Sequence, residues 1–466
     1  MLDFAVVGSG IGGSCSALML SRYYDTLLFE KDRNLGGCSS TFKRFGNHYN
    51  SGATTFAGFE KDSYISTLFH SHNVTFESQL LKSAVSVYQN GKTIKRYSDL
   101  ERFIDEINRI HYHPKNSAFY TLIARINQEF YTYQDYYYSN QSIAKKIKSL
   151  TSFFPLLLKF GSYLFTDARS FLLRYFKDIS QEYLDFIDNQ LIIVAQAKST
   201  QVNFLTLALA LGYQFQENRY IKGGMGAIFE AISTHINLKR NCEILQIEKG
   251  KNHYTLHTKN ESFDAKNIVL NSTIFDSPRL FTDKEIVSYF KKYQNYDSNT
   301  SAFMLYMQID TNKAFDHHCQ IIEKEIFPHT ISNSIFVSFG DKEDERMKNS
   351  VTISVHVDKQ TWNEDWEAKN EQLTQAILKS LEKNLELSKS EIKSYFSAKP
   401  HTFARFINRS SLGGIPMKKE NLPFKLPSND TPIKGLYMVG DTTYAAQGWP
   451  GVMMGVKNLE RLVCKR

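Results

Sequence analysis

The chain has 466 residues, enough for two or three domains and a large core. Its formal charge of +8 is moderate for that length, so charge alone does not indicate nucleic acid, and no nucleic-acid partner is expected. Five dispersed cysteines (Cys15, Cys38, Cys242, Cys319, Cys464), without Cys-x-x-Cys or metal-ligand spacing, argue against a disulfide framework, a metal centre and a dithiol reductase.

The apolar run Phe4-Ala5-Val6-Val7 leads directly into Gly8-Ser9-Gly10-Ile11-Gly12-Gly13. A strand that turns sharply into a helix needs the backbone freedom of Gly8. Gly10 then lets the main chain approach a diphosphate, and Gly13 lets helix and strand pack closely. A helix over 11–23 would aim unpaired N–H groups and its positive dipole end at the phosphates. Residues 26–29 read as the next strand. It ends in Glu30, placed to accept from a ribose hydroxyl, and Lys31 follows. Asp3 and the glycine fingerprint argue against a cleaved signal peptide.

Residues 86–214 change character: they are rich in Tyr, Phe, Leu and Lys and carry helical spacing across 100–110, 119–130 and 183–196. Within them, 141–180 holds seven basic residues (Lys145, Lys146, Lys148, Lys159, Arg169, Arg174, Lys177) against Asp167 and Asp178. Phe, Tyr and Leu are interleaved with these charges, as expected of helices that dip into a lipid surface while the cations meet anionic headgroups. The tyrosines Tyr131, Tyr133, Tyr136, Tyr137 and Tyr138 read as packing rather than as a tunnel wall. No apolar run reaches the roughly 18 residues of a membrane-spanning helix. The expected location is cytoplasmic, with peripheral contact at the inner face of the membrane.

Gly223-Gly224-Met225-Gly226 marks a turn into a helix near 227–236, followed by extended segments at 242–247, 254–258 and 268–270. Strands are expected at 303–309 and 351–357 and an amphipathic helix at 371–387. From about 401 the chain returns to glycine-rich turns. A short apolar strand ends in Gly440-Asp441, where the carboxylate can accept from the ribityl hydroxyls of a flavin, and Gly448-Trp449-Pro450-Gly451-Val452 follows. Pro450 suits a first helical turn, and N–H groups from Gly451 onward would face whatever lies beyond. The two glycine signals at opposite ends of the chain together read as a FAD enzyme.

The expected fold is α/β. A Rossmann-like FAD-binding domain is assembled from three segments (1–85, 215–275 and 401–466), and an α+β substrate domain from 86–214 and 276–400.

These motifs resemble the phytoene desaturase, carotenoid isomerase and retinol saturase branch of the FAD-dependent amine-oxidase-like superfamily. Gly36-Gly37-Cys38-Ser39-Ser40-Thr41-Phe42 is similar to the family's second phosphate-side loop, and His48-Tyr49-Asn50-Ser51-Gly52-Ala53 to its entry into the substrate domain. Gly223-Gly224-Met225 is similar to the return junction, and Gly440-Asp441 with Gln447-Gly448-Trp449-Pro450-Gly451-Val452 to its flavin motif. The resemblance implies cofactor contacts at Gly37, Cys38, Ser39 and Val452, and at Ile244 beside adenine. Two departures stand out: Asn50 replaces a common Asp, and Trp449 is bulky for a flavin-facing turn.

The resemblance implies an apolar polyene or isoprenoid lipid substrate whose carbon–carbon double bonds are desaturated, isomerised or saturated, with an unknown electron acceptor. No catalytic acid or base is assigned, because the flavin does the difficult step. The rival is a flavin amine oxidase, for which Tyr444 and Trp449 could form half of an aromatic cage. A third reading is a flavoprotein that binds lipid or a partner without turnover.

Overall fold

Strand Leu2–Val7 pairs in parallel with Thr26–Phe29 on one side and Ser262–Leu270 on the other, so the first apolar run is central and buried. The computed structural model describes residues 1–409, 411–421 and 423–464; Ser410, Leu422, Lys465 and Arg466, expected within the last nucleotide segment, lie outside them. Asn237–Lys239 extends the sheet beyond Thr26–Phe29. Ser262–Leu270 divides its length between partners: its start pairs antiparallel with Tyr254–His257, and its end runs parallel to Leu436–Met438. One sheet thus joins strands from three distant stretches of chain, as a Rossmann-like nucleotide domain requires. Helix Ile11–Ser21 and the C-terminal helix Gly448–Val463 cover one face, sharing a core through Leu18, Val456 and Leu459.

A second sheet has the order Ile392–Ala398, Thr300–Ile309, Ser350–Asp358, Ser334–Phe339, His318–Ile322, Ser83–Gln89, Lys92–Tyr97. Its pairs are antiparallel except His318–Ile322 with Ser83–Gln89. Period-two alternation divides Thr300–Ile309 cleanly. Phe303, Leu305 and Met307 join the core built with Trp362 and helix Trp366–Leu385, while Ala302 and Met304 face a cavity. A layer of helices, including Asn116–Thr132, Ile143–Leu164, Gln181–Ala195 and Phe204–Gly212, packs around Phe119, Phe186 and Phe204.

Several elements differ from the sequence reading. The strand expected over 242–247 forms at Gln246–Lys249, because the Cys242 N–H is drawn away to Glu30 O. Strand Ser83–Gln89 straddles residue 85 and lies wholly in the second sheet. Residues after 400 begin with helix Pro400–Ile407 rather than a glycine turn, and Phe403 buries itself against Met304 and Tyr306 of the second sheet. The helix expected over 371–387 runs from Trp366 to Leu385 and stops where Glu386 turns left-handed at φ +55°.

Trp362 is fully buried, its ring 5.2 Å from that of Phe303 and its Nε1 donating to His329 O. Trp362→Ala is expected to cost ~3–5 kcal/mol, through lost burial and an unfilled void. Urea denaturation followed by far-ultraviolet circular dichroism would register it as a lower midpoint.

Candidate functional site

Gly8 adopts φ +96°, which an L side chain rarely takes, and its N–H donates to Phe29 O across the first two strands. A Cβ on Gly13 would lie 1.9 Å from Gly8 O, so only glycine allows helix Ile11–Ser21 to sit this close. A Cβ on Gly10 would meet Asn271 Nδ2 at 2.5 Å, and one on Gly12 would meet Asn271 Oδ1 at 2.7 Å and Gly440 N at 2.9 Å. The helix has no side-chain cap, so its first N–H groups stay available to an anion.

Glu30 is buried and does structural work at the same point. Its Oε2 accepts from Ser9 N (2.8 Å) and Ser9 Oγ (2.6 Å), and its Oε1 from Asp32 N (2.9 Å). Gly36 N donates to Ser9 Oγ (3.1 Å), so the carboxylate ties both glycine loops together. A carboxylate offers about four lone-pair sites, which leaves capacity for a ribose hydroxyl. Lys31 lines the cavity, but its ammonium is engaged by Arg405 O and Asn408 Oδ1.

The second loop, Gly36 to Ser39, carries left-handed glycines at 36 and 37 and faces the same cavity with Cys38 and Ser39. Burial pushes the Cys38 thiol up, with Arg409 pulling in the opposite direction. Ile244 lines the cavity near Cys242 and Glu243.

At the other end of the chain, Leu436–Met438 delivers Gly440 (φ +106°) and Asp441 to the cavity. Asp441 Oδ2 accepts from Arg409 Nη2 at 2.6 Å, and Arg409 Nε donates to Ser411 O. Burial alone would lower the arginine pKa; Asp441 and Cys38 outweigh it and hold the guanidinium charged. Helix Gly448–Val463 holds Pro450 in its first turn, as expected, with Gln447 as its N-cap. Unpaired donors therefore belong to Gly448 and Trp449, and the Gly451 N–H is the first inside the helical ladder. Gly451 is needed for another reason: a Cβ there would lie 2.4 Å from Ala445 O. Of the expected contacts, Gly8, Gly10, Gly12, Glu30, Lys31, Gly37, Cys38, Ser39, Ile244, Gly440, Asp441 and Val452 line one cavity, whereas Gly13 and Gly451 serve packing behind it.

Asn50 is a structural joint. Its Oδ1 accepts from Thr41 Oγ1 and Met225 N, pinning the hairpin Thr41–Asn50 to the turn at Gly224. Trp449 is buried between Phe56 and Phe229 (ring centroids 4.7 and 5.8 Å) while touching the cavity wall. Tyr444 stacks on Tyr138 at 3.9 Å within a core cluster, so the two do not form the expected half cage. Tyr136, Tyr137 and Tyr138 are buried as packing residues, and Tyr131 contributes to the cavity.

The cavity continues past the glycine loops between the second sheet and the helical layer. Val85, Tyr131, Ile193, Val194, Met304 and Phe336 give it apolar walls. Ser354 and His356 project from the sheet side, and burial lowers the His356 pKa, favouring the neutral ring. Arg96, Gln190 and Gln214 form a polar group in the same wall.

The sequence reading missed Asn271, Arg409 and Arg96. Asn271 directly follows the buried strand ending at Leu270, a position at a carboxyl edge that could have flagged it. Arg409 and Arg96 carry no local signal, since only folding brings them to the cavity. The glycine cradle fits a dinucleotide: its missing Cβ atoms let Gly10 and Gly12 close on Asn271 and Gly440, so that both glycine motifs border one cavity, and Arg409 brings a cation to it.

Residues 6–71 match the family described as NAD(P)-binding Rossmann-like domain. The chain is 24% identical to the chloroplastic prolycopene isomerase of Arabidopsis thaliana, over 96% of this chain and 80% of the relative. The chain resembles the carotenoid isomerase and desaturase branch of the FAD-dependent amine-oxidase-like superfamily along nearly its whole length. Among solved structures, an oxidoreductase from Methanosarcina mazei superposes with a TM-score of 0.63 at 16% identity, covering 98% of this chain and 99% of its own. Cyclohexylamine oxidase from Brevibacterium oxydans superposes at 0.61 and 12% identity, covering 98% and 96%. Fold, glycine cradle and relatives matched over 96% of this chain agree on a flavin-dependent oxidoreductase similar to that branch.

Gly13→Ala places a methyl group against a backbone oxygen that cannot yield cheaply. It is expected to weaken flavin retention at least about tenfold, or ~1.4 kcal/mol. Visible flavin absorbance of the purified protein, beside its circular dichroism, checks this.

Proposed function

We propose that the chain binds FAD and uses it to rearrange carbon–carbon double bonds of a polyene or isoprenoid lipid, with cis–trans isomerisation as the leading reaction. The observation that carries this reading is the meeting of the two glycine motifs, with a Cβ on Gly12 only 2.9 Å from Gly440 N, at the head of an apolar cavity. FAD fits a cavity that both motifs border, with its diphosphate at the first and its ribityl chain at Asp441, and the apolar walls beyond suit a hydrocarbon chain.

Bound there, FAD would supply reversible hydride exchange with a carbon–carbon double bond. The chain's own residues have defined tasks. Helix Ile11–Ser21 would face the diphosphate with its free N–H groups, Asp441, held by Arg409, and Glu30 would accept from hydroxyl groups, and Gly448 and Trp449 would offer donors at a helix N-terminus. Met304, Phe336 and Ile193 exclude water and hold the polyene against the reacting ring.

Amine oxidation is the weaker alternative. Tyr444 is stacked on Tyr138, the cavity lysine among the described residues is Lys31 beside the glycine loops, and the substrate end carries a guanidinium that repels an ammonium.

The same reading includes an anionic membrane surface as the place where substrate is collected. Supporting it, helix Ile143–Leu164 turns Ile143, Ile147, Leu150, Phe154 and Leu158 outward at helical spacing, and Phe165 at its end is 82% exposed. Lys146, Lys148, Arg174 and Lys177 supply exposed cations nearby, while Lys145, Lys159 and Arg169 are paired with Asp430, Glu129 and Asp188. No helix among the described residues is long and apolar enough to cross a membrane.

Two experiments test these statements. Holoenzyme with reduced flavin, offered prolycopene and a cis-retinoic acid in parallel, is expected to shift the polyene absorbance of at least one toward its trans isomer. Unchanged polyenes together with peroxide released from amines would transfer the assignment to amine oxidation. Flotation with phosphatidylserine-containing vesicles is expected to carry the protein upward at low salt and less at high salt. Replacing Phe154 and Leu158 by Ser should abolish flotation while flavin remains bound, and no flotation of the native protein at low salt would remove the membrane from the proposal.

A further inference from the structure

Arg96, in strand Lys92–Tyr97, is 7% exposed and lines the cavity on the apolar side of the flavin motifs. Its Nε donates to Gln214 Oε1 (2.5 Å), its Nη1 to Gln190 Oε1 (2.5 Å), and its Nη2 to Leu211 O (3.0 Å). All three acceptors are neutral. The other half-buried arginines of the interior have carboxylates: Arg169 meets Asp188, and Arg409 meets Asp441. Among the described residues no carboxylate pairs with Arg96. Burial presses its pKa down to about 10, which still leaves it charged near neutrality. A guanidinium has five N–H donors, so capacity remains after these three bonds.

A second observation points the same way. Gln214 is 1% exposed, and with its oxygen held by Arg96 its Nε2 is buried without a hydrogen-bond partner. Gln190 is fixed from behind, because its Nε2 donates to Gln320 Oε1 (2.6 Å), which aims its own oxygen at Arg96. Donors thus accumulate at one spot with too few acceptors. Leaving a buried cation uncompensated is costly, and such a group persists where a ligand completes it.

We infer that Arg96 and Gln214 receive the carboxylate of the substrate, so that this enzyme acts on a polyene acid rather than a pure hydrocarbon. The inference rests on the polyene reading of the same cavity and specifies the head group. A carboxylate offers two coplanar oxygens to the planar fork of a guanidinium, and the amide N–H₂ of Gln214 can share one of them. Val85, Ile193 and Phe336 border the same cavity and suit the conjugated chain leading from that head toward the flavin motifs. Arg96 anchors one end of the substrate and thereby fixes which double bond lies at the reacting ring; it is a positioning residue.

The test compares retinoic acid with its methyl ester, titrated into FAD-loaded protein and followed by quenching of intrinsic fluorescence. The acid is expected to bind at least about tenfold tighter than the ester. Arg96→Gln should reduce that preference to less than about twofold while visible flavin absorbance is retained. Gln214→Leu, which leaves the guanidinium in place, should narrow the preference less than Arg96→Gln does, and it serves as a second variant should Arg96→Gln fail to fold. Equal binding of acid and ester by the native protein would overturn the inference and leave the polyene function standing. Binding of neither, with flavin retained, would overturn both.

Discussion

Close approach of backbone to backbone at the carboxyl edge of one parallel sheet underlies everything else in this molecule. Gly12, Gly440 and Asn271 converge there from the beginning, the end and the middle of the chain, and side chains at Gly10, Gly12 or Gly13 would force them apart. The approach is possible because strands Leu2–Val7, Ser262–Leu270 and Leu436–Met438 run parallel in one sheet and deliver their ends to the same level. Glu30 and Ser9 then lock the second glycine loop to the first. A cofactor spanning these loops bridges distant chain segments, so retaining it and keeping the nucleotide domain intact are the same physical problem.

Charge is distributed along the cavity in a way that separates its two ends. Near the glycine loops Arg409 is neutralised by Asp441, a close pair that orders the site before any ligand enters. Deeper among apolar walls, Arg96 meets only amide and carbonyl oxygens. Arg409 is half-buried and satisfied within the protein, whereas Arg96 is buried and left with spare donors. That asymmetry would give an elongated ligand a direction, with an acceptor-bearing head at one end and an uncharged chain between it and the flavin motifs.

The helical layer carries apolar side chains on both its inner and its outer face. Helix Ile143–Leu164 buries Leu156 and Phe160 inward, while Ile147, Phe154 and Leu158 remain outside. Apolar side chains on the outer face of a helix with an intact inner seam are not needed for folding. Their spacing along one helix, and the cations around them, set this surface apart from the scattered apolar residues exposed elsewhere, such as Phe45 and Ile326.

The nucleotide site was largely legible in the sequence, because its chemistry depends on local constraints. Left-handed turns at Gly8, Gly36 and Gly440, and helix–strand contact at Gly13, admit glycine almost alone, so they leave a mark in the chain itself. Apolar strands and amphipathic helices were readable for the same local reason, although ends slipped where tertiary bonds intervened, as at Cys242 and at Pro400–Ile407. Other assignments could only come from folding. Trp449 and Tyr444 looked like a cage by proximity in sequence, but packing against Phe56 and Tyr138 turned them to other uses. Arg96 and Arg409 have no motif at all: what distinguishes them is burial and the identity of their neighbours, contributed by residues as far as 371 positions away. Backbone geometry is written one residue at a time, whereas the electrostatic environment of a side chain belongs to the assembled interior.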